Sequence, residues 1–187
     1  MDRLEIESWL KAYGIRNYII NEDMSVDVTR HVYLVFKELT KIPIKFRNVS
    51  GHFNCKSNKL TSLEGCPQVV GGDFNCSYNE LTNLDGCPKK VGRDFNCIRN
   101  NLSTLLGGLV EVGRDFDCSD NNLISLDGCP ESVGGDFDYF GNDLLGDQLF
   151  GLSYNQVKVY LQNKDLKLSL ESSLSPLENK VLGSKKI

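Results

Sequence analysis

Five phenylalanines, Phe53, Phe74, Phe95, Phe116 and Phe137, recur at intervals of 21 residues with no insertion or deletion. A fixed period of that length means one small unit copied and stacked. The 187-residue chain therefore predicts a solenoid rather than a globule around one central core. The period also changes how function is read. A residue present in every copy serves the stacking first, so the residues that depart from the pattern carry the information.

The copies run over 51–67, 72–88, 93–109 and 114–130, with a partial copy over 135–144. Val49, Val70, Val91, Val112 and Val133 form one further column. One period before Phe53 stands Val32, and Leu34, Leu39 and Ile42 then fall in the columns of Cys55, Leu60 and Leu63. This is a degenerate first copy of the kind a capping unit shows. About six coils result, above the roughly three that a solenoid needs.

Each unit reads Phe-x-Cys-x-x-Asn-x-Leu-x-x-Leu. This resembles the leucine-rich repeat, with Phe and Cys in place of two of the usual leucines, over about residues 28–147. The short period and its Gly-Cys-Pro turn are similar to bacterial-type leucine-rich repeats. The Val-Gly-Gly-Asp-Phe-Asn-Cys-Ser wording of residues 70–77 resembles small repeat proteins of tailed bacteriophages. The resemblance implies an α+β repeat: a leucine-rich-repeat solenoid with a parallel β-sheet on its concave face. Residues 1–27 would form an N-terminal cap of helix plus short strands, and residues 148–187 a C-terminal helical cap and tail.

Elementary geometry predicts how such a unit stacks. Phe53 and Cys55 are two apart and share a strand face. Parallel stacking then sets Phe74 over Phe53 and Cys76 over Cys55 at about 4.8 Å. Asn58, Asn79, Asn100, Asn121 and Asn142 follow each strand, where a buried amide can satisfy backbone groups at a bend. Leu60, Leu63 and their equivalents fill the interior. Gly65, Gly86, Gly107 and Gly128 predict a turn with an unusual backbone angle, stiffened by Pro67, Pro88 and Pro130.

The seven cysteines fall into two columns, Cys55, Cys76, Cys97 and Cys118, and Cys66, Cys87 and Cys129. Their spacings of 10, 11 or 21 follow the repeat and lack the close pairs of a zinc site. Reduced thiols acting as small buried apolar groups are expected, with no metal and no cofactor. No charged-apolar-small leader and no apolar run near membrane-spanning length are evident, so a soluble, cytoplasmic protein is expected.

Charge is uneven. Residues 48–147 carry 7 Lys/Arg against 15 Asp/Glu, a net −8, whereas 1–47 carry +1 and 148–187 carry +3. An acidic repeat body argues against binding a phosphate backbone, which needs Lys/Arg clusters. At the N-terminus, Leu4, Ile6, Trp9, Leu10 and Tyr13 predict an amphipathic helix stopped at Gly14, followed by two short strands around residues 21–23. Beyond the repeats, Ser153 and Gln156 read as a capping-box helix start. Leu166, Leu168 and Leu170 fit either strand or helix, and Ser175-Pro176 reads as a second helix start with Gly183 as its stop.

The outward strand positions form three columns: His31, His52, Asp73, Asp94, Asp115, Asp136; then Asn54, Asn75, Asn96, Asp117, Asp138; then Lys56, Ser77, Ile98, Ser119, Phe140. Beside them run Ser57, Tyr78, Arg99, Asp120 and Gly141. His52 beside Asp73 could orient an imidazole for base catalysis, but no nucleophile elbow or phosphate loop accompanies the pair, and an ordinary repeated column explains it. One Asp per coil on a flat sheet does not supply the six to eight oxygens of calcium. Stacked carboxylates suit a basic protein partner. Tyr78, Ile98, Arg99, Tyr139 and Phe140 break the pattern, and exposed aromatic and Arg residues are typical interface anchors; Tyr139, on the Cys column, reads as a seal of the last coil. Leu106, Gly107, Gly108 and Leu109 break it on the opposite edge.

The expected function is a non-catalytic protein-binding module. Its binding positions are His52, Asp73, Asp94, Asp115, Asp136, Asn75, Asn96, Asp117, Tyr78, Ile98, Arg99 and Phe140. The phage resemblance implies an inhibitor of a host bacterial protein, such as a defence component. The alternatives are a self-associating or virion protein, and an enzyme using His52 and Asp73.

Overall fold

A computed structural model describes residues 1–144 and 152–167. The chain divides into two compact units, Met1–Asp147 and Gln148–Ile187. The first begins with helix α1 (Arg3–Ala12), closed by a capping box: the Asp2 carboxylate accepts from the Glu5 N–H and the Glu5 carboxylate accepts from the Asp2 N–H. Ile6 and Leu10 form its buried stripe, and the Trp9 ring meets Phe46 edge-on at 6.4 Å. Gly14, at φ +67°, lies just past its end, as the sequence predicts.

Strands β1 (Tyr18–Ile20) and β2 (Val26–Val28) form an antiparallel hairpin. From there the chain winds as a solenoid whose coils each add one short strand to each of two parallel sheets. The first sheet continues from β2 through β4 (Phe46–Val49), β6 (Val69–Val70), β8 (Lys90–Val91), β10 (Glu111–Val112) and β12 (Ser132–Val133). The second holds β3 (Val32–Tyr33), β5 (Phe53–Asn54), β7 (Phe74–Asn75), β9 (Phe95–Asn96), β11 (Phe116–Asp117) and β13 (Phe137–Asp138). Every neighbour in the second sheet pairs at a 21-residue offset, Phe53 to Phe74 and Phe74 to Phe95 among them. The sequence reading anticipates one sheet. The valine column builds the other, and strands of two residues carry too little alternation to announce it.

The two sheets meet at a corner made by Gly71, Gly92, Gly113 and Gly134. A Cβ on Gly92 would overlap the Gly71 carbonyl oxygen, and the other corners repeat that approach. Here glycine is required by proximity between coils, and none of these four has a positive φ. Gly86 is the contrasting case. It turns the chain at φ +83°, and a Cβ there would also collide with the backbone of Leu63 and Glu64.

The interior is a set of ladders. Phe53, Phe74, Phe95, Phe116 and Phe137 stack with ring centroids 5.1–5.7 Å apart. Cys55, Cys76, Cys97 and Cys118 lie fully buried beside them, and all seven cysteines are thiols. Burial pushes the Cys97 and Cys118 thiols well above their usual range and Cys87 up to about 12. Asn100 shows how the amides work. Its Nδ2 donates to the carbonyls of Cys76 and Cys97 at 3.1 and 3.0 Å, and its Oδ1 accepts from the Leu81 N–H at 3.1 Å. Asn58, Asn79 and Asn121 repeat this arrangement. Each side chain thus ties its own coil to the preceding one.

In the second unit, helix α2 spans 154–167. The Ser153 N–H donates to Gln156 Oε1 at 2.9 Å, the half of a capping box that the sequence suggests, and Val157 is buried. Leu166 belongs to this helix. Leu168 and Leu170, and the helix start and stop read at 175–176 and Gly183, lie outside the described residues.

Candidate functional site

The outward face of the second sheet carries the columns singled out in the sequence, and the structure gives the first two architectural work. In the first column each side chain from His31 to Asp115 accepts the backbone N–H of the next coil. His31 Nδ1 receives the His52 N–H and His52 Nδ1 the Asp73 N–H, both at 2.9 Å. Asp73, Asp94 and Asp115 receive the N–H groups of Asp94, Asp115 and Asp136 at 3.4, 3.3 and 2.9 Å. The two imidazole rings stack at 4.7 Å and lie over Gly51 and Gly72, where a Cβ would collide with them.

His52 Nδ1 also lies 3.0 Å from Asp73 Oδ2, within ion-pair distance. One nitrogen cannot both accept the backbone N–H and donate to the carboxylate. The whole column accepts, so the acceptor form is the consistent one, with the proton on Nε2. His52 and Asp73 are thus brought together, but Nδ1 is spent on the fold. Among the described residues no three metal-ligating side chains converge.

The second column closes local turns. Asn54, Asn75, Asn96, Asp117 and Asp138 each accept from the N–H two residues on, at 3.0–3.3 Å. Asn suffices for that bond in coils two to four, yet the last two coils use Asp. Parallel register sets Asp117 directly beside Asp138. Partial burial raises the Asp117 carboxyl above the ordinary carboxylate range. Hydrogen bonds from Ser119 oppose the shift, and the charges of Asp138 and Asp120 add to it. Elsewhere the acids are offset: Arg114 Nε lies 3.6 Å from Asp94, and Arg99 Nε 3.0 Å from Asp120.

The column beside these strands is different in kind. Ser57, Tyr78, Arg99 and Asp120 all have φ between +53° and +57°, Gly141 has +69°, and Phe36 occupies the same position in the first coil at +55°. Gly or Asn suits a left-handed position, and a bulky side chain there costs about 1 kcal/mol or more. Tyr78 is 41% exposed and Phe36 74% exposed. Lys56 Nζ and the Arg99 guanidinium sit 4.9 and 5.3 Å from the Tyr78 ring centroid, so a cation–aromatic chain runs across three coils into Asp120. Ile98 is half-buried at its margin, and Phe140 is 66% exposed at the far end. Tyr139 points inward and is buried, with its ring 5.2 Å from Phe137, as its place on the Cys column implies.

The sequence pattern therefore locates Tyr78, Ile98, Arg99 and Phe140 on one face. It does not reveal that the Tyr78 and Arg99 column is left-handed, although Gly141 in that column was a usable signal. Exposed Tyr33 and Phe36 also escape it, because the degenerate first copy reads as a capping unit although its register holds. Comparison with known proteins gives no matching family model, no matching curated protein and no matching solved structure.

Proposed function

We propose that the chain is a non-catalytic binding scaffold that engages another protein through the outward face of its second sheet. In this reading the repeats are short leucine-rich repeats of the bacterial and phage type, with that sheet on the concave side. The observation that carries the reading is Tyr78 and Arg99 at left-handed positions. The fold bears a conformational cost there for exposed side chains that contribute nothing to the buried ladders. Unexplained strain of this sort collects at functional positions.

The partner presents a basic surface to Asp115, Asp117, Asp136 and Asp138, for which no cation is within ion-pair distance among the described residues. The phage resemblance makes a host bacterial protein the partner and inhibition the outcome, in the host cytoplasm. An enzyme using His52 is disfavoured because its Nδ1 already receives the Asp73 N–H. The test is retention of a partner on the immobilised chain as salt is raised. Binding is expected to weaken steeply with salt and on Asp136→Asn with Asp138→Asn. Retention indifferent to both would refute the acidic-face reading.

A further inference from the structure

The face is polar along the solenoid axis. Its first two coils bear Lys56, with no acidic partner among the described residues, and the exposed aromatics Tyr33 and Phe36. Its last two bear Asp117, Asp136 and Asp138, with exposed Phe140 beside them. The middle is mixed. Asp94 has Arg114 against it and Arg99 stands in the same coil, while Tyr78 and Ile98 provide apolar surface in adjacent coils.

From this polarity we infer that a second copy of this chain is a partner for the face. Two copies pack sheet to sheet about a two-fold axis parallel to the strands. That operation reverses the order of the coils. The first coil of one copy meets the sixth of the other, the second meets the fifth, and the third meets the fourth. Lys56 then faces Ser119, next to Asp117. Tyr33 faces Asp138, and Phe36 faces Gly141 next to Phe140. Tyr78 of each copy meets Arg99 of its mate, with Ile98 one position away, giving a cation–aromatic centre flanked by complementary ends.

The alternative axis, along the solenoid, sets coil against like coil and brings Asp136 and Asp138 against their own copies. Charge therefore selects the first axis. Six strands at about 4.8 Å span roughly 25 Å, room for on the order of 800 Å² per copy. This inference rests on the same face as the binding function. Dimerisation would cover the site that any other partner needs, so self-pairing and partner binding compete.

Sedimentation equilibrium of the full chain at low and high salt tests it. The expected result is a dimer at micromolar concentration that dissociates as salt is raised. Ser119→Lys sets Lys against Lys56 of the mate. The fold already holds Lys in this column at Lys56, so the variant is expected to fold while dimerising about tenfold or more weakly. Lys56→Glu weakens it likewise, and the double variant restores it. A chain monomeric to about 100 µM, or single variants that leave the dimer unchanged, or a double variant that fails to recover, overturns the inference. The outcomes stay distinct from those of the proposed function. A monomer that still retains another protein in a salt-sensitive way sinks the dimer and leaves the binding scaffold standing.

Discussion

Tyr78 shows how one residue can oppose the fold it sits in. Its φ of +56° suits glycine, and its exposed ring is flanked by Lys56 and Arg99. Tyr78→Gly should then leave stability within about 1 kcal/mol of the parent, and Tyr78→Ala should be the less stable of the two, by about 1 kcal/mol. Chemical denaturation measures both. A Gly variant less stable than the Ala variant would show that the backbone is not strained there. Asp117 is a second such residue. Burial raises its carboxyl, so its ionised form is disfavoured by folding and subtracts from stability at neutral pH. The penalty fades as pH falls below its folded pKa and is gone below the lower unfolded one, where the carboxyl is neutral in both states. Asp117→Asn copies Asn54, Asn75 and Asn96 and keeps an acceptor for the Ser119 N–H. It should raise Tm near pH 7 and lose that advantage by roughly pH 3, read by calorimetry at the two pH values. The same change removes a charge from the binding face, which gives a reason for an aspartate where asparagine would stack better.

At the scale of the element, the coil is stabilised by columns. Phe95 is fully buried between Phe74 and Phe116, with ring centroids at 5.1 and 5.4 Å. Phe95→Ala opens a void with neighbours on both sides that the backbone ladders hold in place. A loss of about 3–5 kcal/mol is expected in denaturant unfolding. A variant as stable as the parent would contradict the stacked interior. The columns were legible in the sequence because each is a single residue type at a fixed period: Phe, Cys, Asn and Leu. The first sheet was not. Val70 and Val91 register as a column, but a two-residue strand shows no alternation, and the corner glycines announce a close approach only once both coils are in place. The left-handed column was hidden for the opposite reason. Its occupants Phe36, Ser57, Tyr78, Arg99, Asp120 and Gly141 have no chemistry in common, and the backbone angle they share is not written in any one of them.

The whole molecule combines a repetitive interior with a face that changes along its length. Neutral acceptors His31 and His52 give way to Asp73 and its successors in one column, and Asn96 gives way to Asp117 in the next. Each substitution preserves the hydrogen bond that the fold needs while moving the surface from neutral to acidic. Architecture and surface can then vary separately, which is the property a binding scaffold exploits. The central claim is that binding belongs to the pattern-breaking residues and stability to the ladders. Replacing Tyr78, Ile98 and Arg99 together with alanine separates the two, with partner retention and Tm measured on the same preparation. The account predicts a Tm within a few degrees of the parent and loss of the retained partner, self or foreign. A triple variant that folds and still retains its partner undiminished would contradict it.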